Sequence, residues 1–208
     1  IELIAVHFLS LAGPLDEARA RLDALPAWLD RPAATARAAQ AAYLRAQVAL
    51  LDGRRADAWR ALGEADGLYQ RTADPERFTV AMQRAALLSD AGLGHEAVGH
   101  LRDRLADCTD GACDPALLAA ARLQLARLVL ADPFRTPRDV ESARRDLVVD
   151  ATALGAARQG VAARIVEAAL RLELGEEPAP ALTAARELLA ALDGALEASY
   201  AGWIAWVE

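Results

Sequence analysis

The sequence predicts an all-α fold, a right-handed α-solenoid of about five antiparallel helical hairpins. Three observations predict it. Ala and Leu, which are strong helix formers, make up most of the apolar residues, whereas aromatic residues are only 5% of the chain. A short motif of Gly, Ala and Leu recurs at a nearly constant spacing. Asp-Pro pairs, which favour helix starts, recur at the same spacing.

The repeated motif consists of Gly, Ala five residues later and Leu four residues after that. It begins at Gly13, Gly53 and Gly92, which are 40 and 39 residues apart. The Ala-x-x-x-Leu pair recurs twice more, so that its alanines, with gaps of 40, 39, 46 and 41 residues, are Ala18, Ala58, Ala97, Ala143 and Ala184. This period is typical of stacked helical hairpins. Each Gly would end a first helix in a left-handed conformation, and the Ala and Leu would pack one turn apart on the second helix.

The caps and the motif together define the predicted elements. Asp74-Pro75 and Asp114-Pro115 each place an N-cap before a proline, and Thr136-Pro137 repeats this chemistry after a lengthened turn. The predicted first helices are 1–12, 33–51, 75–91, 115–131 and 152–174. The predicted second helices are 14–25, 54–70, 95–107, 137–149 and 180–193. A last segment, 195–207, is either a cap or the start of a sixth hairpin.

The composition restricts the class of protein. The net charge is −7, which is unfavourable for binding a nucleic-acid backbone, and the chain has no lysine, so that every basic residue besides histidine is Arg. The most apolar run, 116–131, contains Arg122 and Arg127, so no membrane-spanning helix is predicted. The use of Arg alone with abundant Ala, Gly and Pro is typical of a GC-rich genome. We expect a cytoplasmic bacterial protein in which 1–208 is a single helical-repeat domain, part of a longer chain.

One cluster resembles a metal site. His95, His100, Cys108 and Cys113 form His-x4-His followed by Cys-x4-Cys. On a helix, however, His95 and Cys108 would lie roughly 20 Å apart along the axis. Zinc ligands converge within about 4 Å of one another, so we predict no metal and no cofactor. The two cysteines either close a small disulfide or stay reduced in a solvated loop that ends at the N-cap Asp114.

Catalytic signatures are missing from the sequence. It contains no Gly-x-Ser-x-Gly, no phosphate-binding Walker loop and no dinucleotide-binding glycine motif after a strand. Glu176 and Glu177 are interpreted as first-turn acids that favour the helix dipole, and His7 as a packing residue on an apolar helix. The chain is therefore predicted not to be an enzyme.

A small residue also stands seven positions before three of the turn glycines, as Ala46, Ala85 and Ala168. The order small residue, Gly turn, Ala and Leu resembles the tetratricopeptide repeat (TPR) over nearly the whole chain. Ala42 and Ala81 stand where the family has a large aromatic residue, and the period is longer than the family's. The pattern resembles the irregular TPR-like arrays of large bacterial signalling proteins.

The resemblance implies that the first helices line a concave groove that binds extended peptides or partner helices. The inward positions would lie three, six, ten and thirteen residues before each turn Gly. The polar, aromatic or Met side chains at these positions are His7, Ser10, Gln40, Tyr43, Gln47, Thr79, Met82 and Ser89, and Arg127 joins them if Ala126 is matched to Ala85. The alternative for Tyr43 and Met82 is a purely structural place in the core.

The predicted function is a non-catalytic protein–protein interaction scaffold or sensor arm. Its partners would be a protein or peptide and other domains of the same polypeptide, with no nucleic acid and no membrane. The alternative is an α-solenoid ligand-binding or enzymatic domain, which would need converging polar groups in a small-molecule pocket.

Overall fold

The structure is a computed structural model. It describes residues 3, 13–25, 35–108, 113–150, 158–190, 200, 202, 204, 205 and 207. Within these residues all regular structure is helical, which confirms the predicted fold class. The predicted helix 1–12 lies outside the described residues except for Leu3.

Nine long helices are present in the described ranges. They are α1 (Leu15–Asp23), α2 (Thr35–Leu51), α3 (Arg55–Thr72), α4 (Arg77–Asp90), α5 (Gly94–Ala106), α6 (Pro115–Ala131), α7 (Pro137–Asp150), α8 (Arg158–Glu173) and α9 (Ala179–Ala190). The contacts between residues divide the chain into two compact units, Ile1–Leu87 and Leu88–Glu208. That 1–208 forms one repeat domain stays a prediction.

Three glycines end first helices as the sequence predicts. Gly53, Gly92 and Gly175 have φ of 72°, 80° and 71°, in the left-handed region that favours glycine. The amide of the residue after each Gly donates to the carbonyl five residues before it, as from Arg54 to Ala49 at 2.8 Å. This pattern is the Schellman motif, which satisfies carbonyls that the helix end leaves unpaired. At Gly53 and at Gly175, the helix after the turn packs against the helix before it.

In the first unit, α2 packs mainly against α3, and α1 packs against α2. One apolar cluster joins α2, α3 and α4 and contains Ala39, Ala42, Ala46, Leu62, Ala65, Tyr69 and Val80. Ala42 and Ala46 are fully buried, and their small side chains allow α3 to approach closely. The alanine that replaces the family's aromatic residue at position 42 is therefore a core contact.

In the second unit, successive helices from α5 to α9 pack against one another. A cluster on α8 and α9 also includes Ile204 and Val207 of the last segment. That this segment is a cap or the start of a sixth hairpin stays a prediction.

The Ala-x-x-x-Leu pairs are buried in four of the five predicted places. These are Ala18–Leu22, Ala58–Leu62, Ala97–Leu101 and Ala143–Leu147. The fifth pair, Ala184–Leu188, is wrong by one residue, because Ala185 and Leu189 are buried instead. The sequence there is Ala-Ala followed by Leu-Leu, so the spacing fits both registers, and only the packing of α9 on α8 selects one.

The predicted caps at Asp114 and Thr136 are confirmed, and at the third predicted start the Asp74 carboxylate accepts from the Glu76 amide at 2.9 Å. The Asp114 carboxylate accepts from the amides of Ala116 and Leu117 at 2.8 and 3.1 Å. At the start of α7, the Thr136 amide donates to Asp139 at 3.0 Å and the Asp139 amide donates to the Thr136 hydroxyl at 3.2 Å. This reciprocal capping box holds the longer turn between α6 and α7.

Candidate functional site

The first unit contains most of the predicted groove residues. Gln40, Tyr43 and Gln47 lie on α2, and Thr79 and Met82 lie on α4. Gln40 is exposed, and the other four are half-buried. A half-buried polar side chain is available to a ligand while its neighbours restrict its rotamer, which is the usual condition of a binding residue.

A chain of hydrogen bonds connects α2 to α4. The Gln47 amide Nε2 donates to Gln83 Oε1 at 2.6 Å, and Gln83 Nε2 donates to the Tyr43 hydroxyl at 2.9 Å. Gln83 thus uses its oxygen toward one residue of α2 and its nitrogen toward another one turn away. These two bonds leave the Tyr43 O–H as a donor and Gln47 Oε1 as an acceptor.

The environment keeps Tyr43 protonated. Burial raises the pKa of its hydroxyl above the usual value, the nearby Glu76 carboxylate raises this pKa further, and the hydrogen bond from Gln83 lowers it. The phenol is therefore neutral at physiological pH, because even the unperturbed pKa is about 10. Tyr43 can then donate a hydrogen bond while it accepts one from Gln83.

Contacts of the neighbouring residue Arg84 hold α4 against α3. Arg84, the next residue, forms an ion pair with the buried Asp66 of α3 at 3.1 Å. Its guanidinium also lies 4.3 Å from the centre of the Trp59 ring, a cation–π contact. Since both partners are on α3, these contacts fix α4 on the hairpin of α2 and α3 and so fix the position of Gln83.

Gln83 is the functional candidate that the sequence analysis did not identify. It stands nine residues before Gly92, outside the positions three, six, ten and thirteen that define the predicted inward face. The available signal was weak, namely a long amide side chain next to Met82 on a largely apolar helix. Its contact with α2 depends on how two non-consecutive helices meet, which residue spacing does not encode.

Among the predicted residues that the structure describes, Ser89 and Arg127 are not brought into this hydrogen-bonded chain. Ser89 and Arg127 belong to the second unit, where Ser89 is half-buried on α4 and Arg127 is exposed on α6. His7 and Ser10 lie outside the described residues. That all these residues form one groove stays a prediction.

The cluster that resembled a metal site is divided between two places. His95 Nδ1 lies 3.4 Å from Asp132 Oδ2 in the turn between α6 and α7. Cys108 and Cys113 form a disulfide with a Cα–Cα distance of 6.0 Å, which selects the paired alternative for these cysteines. Within the part of the chain that the structure describes, no three His, Cys, Asp or Glu side chains are arranged to hold a metal. The absence of zinc itself stays a prediction.

The alternative, a ligand-binding or enzymatic domain, requires polar groups that converge in a pocket. Three acidic residues are buried in the described ranges, and they lie on different elements. Asp66 pairs with Arg84, Asp132 lies against His95, and Glu167 is held between Arg164 and Arg171 at 2.8 and 3.0 Å. Each of these three acids contacts a basic side chain.

No described helix is long and apolar enough to span a lipid bilayer. Neither a protein-family model nor a curated protein matches the chain.

Solved structures do match. The nearly identical TPR-like repeats of a kinesin light chain-like protein from Podosopora anserina align over 93% of this chain and 95% of theirs, with 17% identity and a TM-score of 0.64. A single-residue variant of the same protein aligns over 91% of this chain and 93% of its own, with 18% identity and a TM-score of 0.63. The helices, the glycine turns and these matches together show a TPR-like helical-repeat fold.

Proposed function

We propose that the chain is a non-catalytic protein–protein interaction scaffold whose first helices bind an extended peptide segment of a partner. The observation that carries the proposal is the hydrogen-bond chain from Gln47 through Gln83 to Tyr43. It lies across two first helices, α2 and α4, as the resemblance to TPR proteins implies for a ligand groove. The TPR-like fold supports the same class of function.

The chemistry of this surface suits a peptide backbone. An extended peptide offers carbonyl acceptors and amide donors along its length, and main-chain hydrogen bonds contribute affinity when such a segment is recognised. The Tyr43 O–H is a donor for a carbonyl, and Gln47 Oε1 is an acceptor for an amide. Thr79 and Met82, half-buried on α4, would contact side chains of the peptide.

Further residues would belong to the same proposed binding surface. Gln40, Ser89, Arg127 and His7 would continue the same binding surface. The net charge of −7 disfavours nucleic acid as the partner. In this proposal the chain is a sensor or signalling arm of a cytoplasmic bacterial multidomain protein, and other domains of the same polypeptide are among its partners.

Selection and titration of peptides test the proposal. Peptides selected by the folded chain from a random library would be titrated against wild type, Gln83→Ala, Tyr43→Phe and Gln70→Ala. Gln70 is the matched control, because it is an exposed glutamine on the second helix α3. We expect Gln83→Ala to weaken binding about tenfold, or 1.4 kcal/mol, because it removes a side chain that orders two others. Gln70→Ala should leave the affinity unchanged.

Two results would contradict this function. One is that no peptide is enriched over a library panned against the unfolded chain. The other is that the selected peptides lose affinity with Gln70→Ala and keep it with Gln83→Ala. Melting temperatures of all variants would show that a lost affinity does not reflect lost folding.

A further inference from the structure

The start of α4 adds charge to the surface that α2 and α4 form together. Glu76, the residue before α4, is exposed. Its carbonyl accepts from the Val80 amide at 3.1 Å, so the helical register extends back to Glu76. Thr79 and Gln83 follow it after three and seven residues, a spacing that places all three on one face of a helix. Glu76 therefore stands in the same row as Gln83, whose side chain bonds to α2.

Two tyrosine hydroxyls lie within the electric field of the Glu76 carboxylate. Burial raises the pKa of the Tyr43 hydroxyl, and Glu76 raises this pKa further. Burial also raises the pKa of the Tyr69 hydroxyl, and Glu76 and then Asp74 add to the increase. Since Tyr43 belongs to the hydrogen-bond chain between α2 and α4, Glu76 acts electrostatically on the same surface.

The arginines of α2 and α4 occupy other sides of these helices. Arg84 pairs with an aspartate of α3, and Arg77 lies 5.1 Å from the centre of the Phe78 ring. Arg45 lines a cleft that α2 forms with α1 and α3, and Arg37 stands in the row of α2 that packs against α1. Both helices are fully described, and none of their arginines stands in the two rows that the hydrogen-bond chain joins.

The surface is therefore negatively charged at the start of α4. Asp74 lies there beside Glu76 and accepts from the Glu76 amide at 2.9 Å. Arg71, exposed near the end of α3, offsets at most one of these two charges. The whole chain carries a net charge of −7, and such a field attracts basic ligands.

We propose that the peptide bound by α2 and α4 carries a basic side chain, arginine or lysine, that pairs with Glu76. This inference rests on the proposed function. The peptide backbone would bond to Tyr43 and Gln47, and the basic side chain would extend along α4 to the Glu76 carboxylate. An acidic side chain at that place would be repelled, since like charges facing each other across an interface disfavour binding. The charge of Glu76 thus determines which peptides are selected.

Selection by charge-exchanged variants tests this inference. Peptides that the wild-type chain selects from a random library should contain more Arg and Lys than the unselected library. Peptides that Glu76→Lys selects should contain more Asp and Glu. Glu64→Lys is the matched control, because Glu64 is an exposed glutamate of the second helix α3 and its substitution changes the net charge equally. This control should keep the wild-type preference for Arg and Lys.

Titration measures the size of the preference. A peptide selected by the wild-type chain would be compared with the same peptide in which Glu replaces its enriched basic residue. The wild-type chain should favour the basic peptide about fivefold at low ionic strength, because an exposed ion pair contributes little in water and is screened by salt. Glu76→Gln, which keeps the length of the side chain, should bind both peptides equally. This neutral variant also keeps the test valid if Glu76→Lys disturbs the start of α4.

The possible failures are distinguishable. Enriched peptides without an excess of Arg and Lys would overturn this inference and leave the proposed function intact. The same would follow if the wild-type chain and Glu76→Gln preferred the basic peptide equally. If no peptide were enriched at all, the proposed function would be overturned, and this inference with it.

Discussion

Alanine at the turn glycines should destabilise the chain, whereas alanine at helical glycines should stabilise it. Gly53, Gly92 and Gly175 have positive φ, which non-glycine residues adopt at a cost. Gly63 and Gly67 lie inside α3, where glycine is the weaker helix former. Gly→Ala is thus expected to lower the unfolding free energy at the turns and to raise it inside α3.

The structure simplifies the calculation of how much each Gly→Ala substitution changes the unfolding free energy. A Cβ built on any of these five glycines has no heavy atom within 4 Å, so no steric term enters. At the turns, the left-handed conformation costs alanine roughly 1–2 kcal/mol, and the less flexible unfolded chain returns about 0.4–1 kcal/mol. The net loss is about 1 kcal/mol per turn, or roughly 2–4 °C in melting temperature for a chain of this size. In α3 the expected gain is about 0.5–1 kcal/mol.

A reverse substitution completes the test. Ala73, at the end of α3, has φ of 51°, and the Asp74 amide donates to the Tyr69 carbonyl at 3.1 Å in the same Schellman pattern. Ala73→Gly should therefore stabilise the chain by about 1 kcal/mol. Thermal and denaturant unfolding would measure all variants. If Gly53→Ala and Gly63→Ala shifted stability in the same direction, the explanation by backbone conformation would be wrong.

Three further predictions concern packing, pH and metal. Ala58→Leu should cost about 1–3 kcal/mol in unfolding free energy, because the fully buried Ala58 leaves no space for added methylenes; unchanged stability would contradict close packing there. Hydrogen bonds from Thr136 lower the pKa of the Asp139 carboxyl in the folded chain. Asp139 therefore stabilises the folded chain fully above the pKa that it has in the unfolded chain, and this stabilisation is lost as the pH falls through its pKa in the folded chain. The stability difference between wild type and Asp139→Asn should thus be present at pH 7 and shrink below about pH 4; a constant difference would refute this. Purified protein should contain no zinc and unfold identically with a chelator, whereas one equivalent of zinc that Cys108→Ser removes would contradict this.

Local chemistry explains why much of the fold could be predicted from the sequence. The turn at Gly92 and the cap at Asp114 depend on residues within one or two turns of each other, so their spacing identifies them. Ala58 and Leu62 share a face for the same reason. The left-handed Ala73 carries no such signal, because alanine ordinarily avoids that conformation.

The candidate site was predicted less completely. Tyr43 and Gln47 follow from the repeat register, but Gln83 does not, because its contacts join helices that are not consecutive in the chain.

Site-specific photocrosslinking tests the central claim, that first helices bind the partner, most directly. A photoreactive phenylalanine would replace Gln40 on α2 in one sample and Gln70 on α3 in another, because both glutamines are exposed and neither belongs to the hydrogen-bond chain. Each sample would be irradiated with a peptide selected by the wild-type chain. We predict covalent capture from position 40 and little from position 70. Capture from position 70 alone would contradict the claim and assign binding to the second helices.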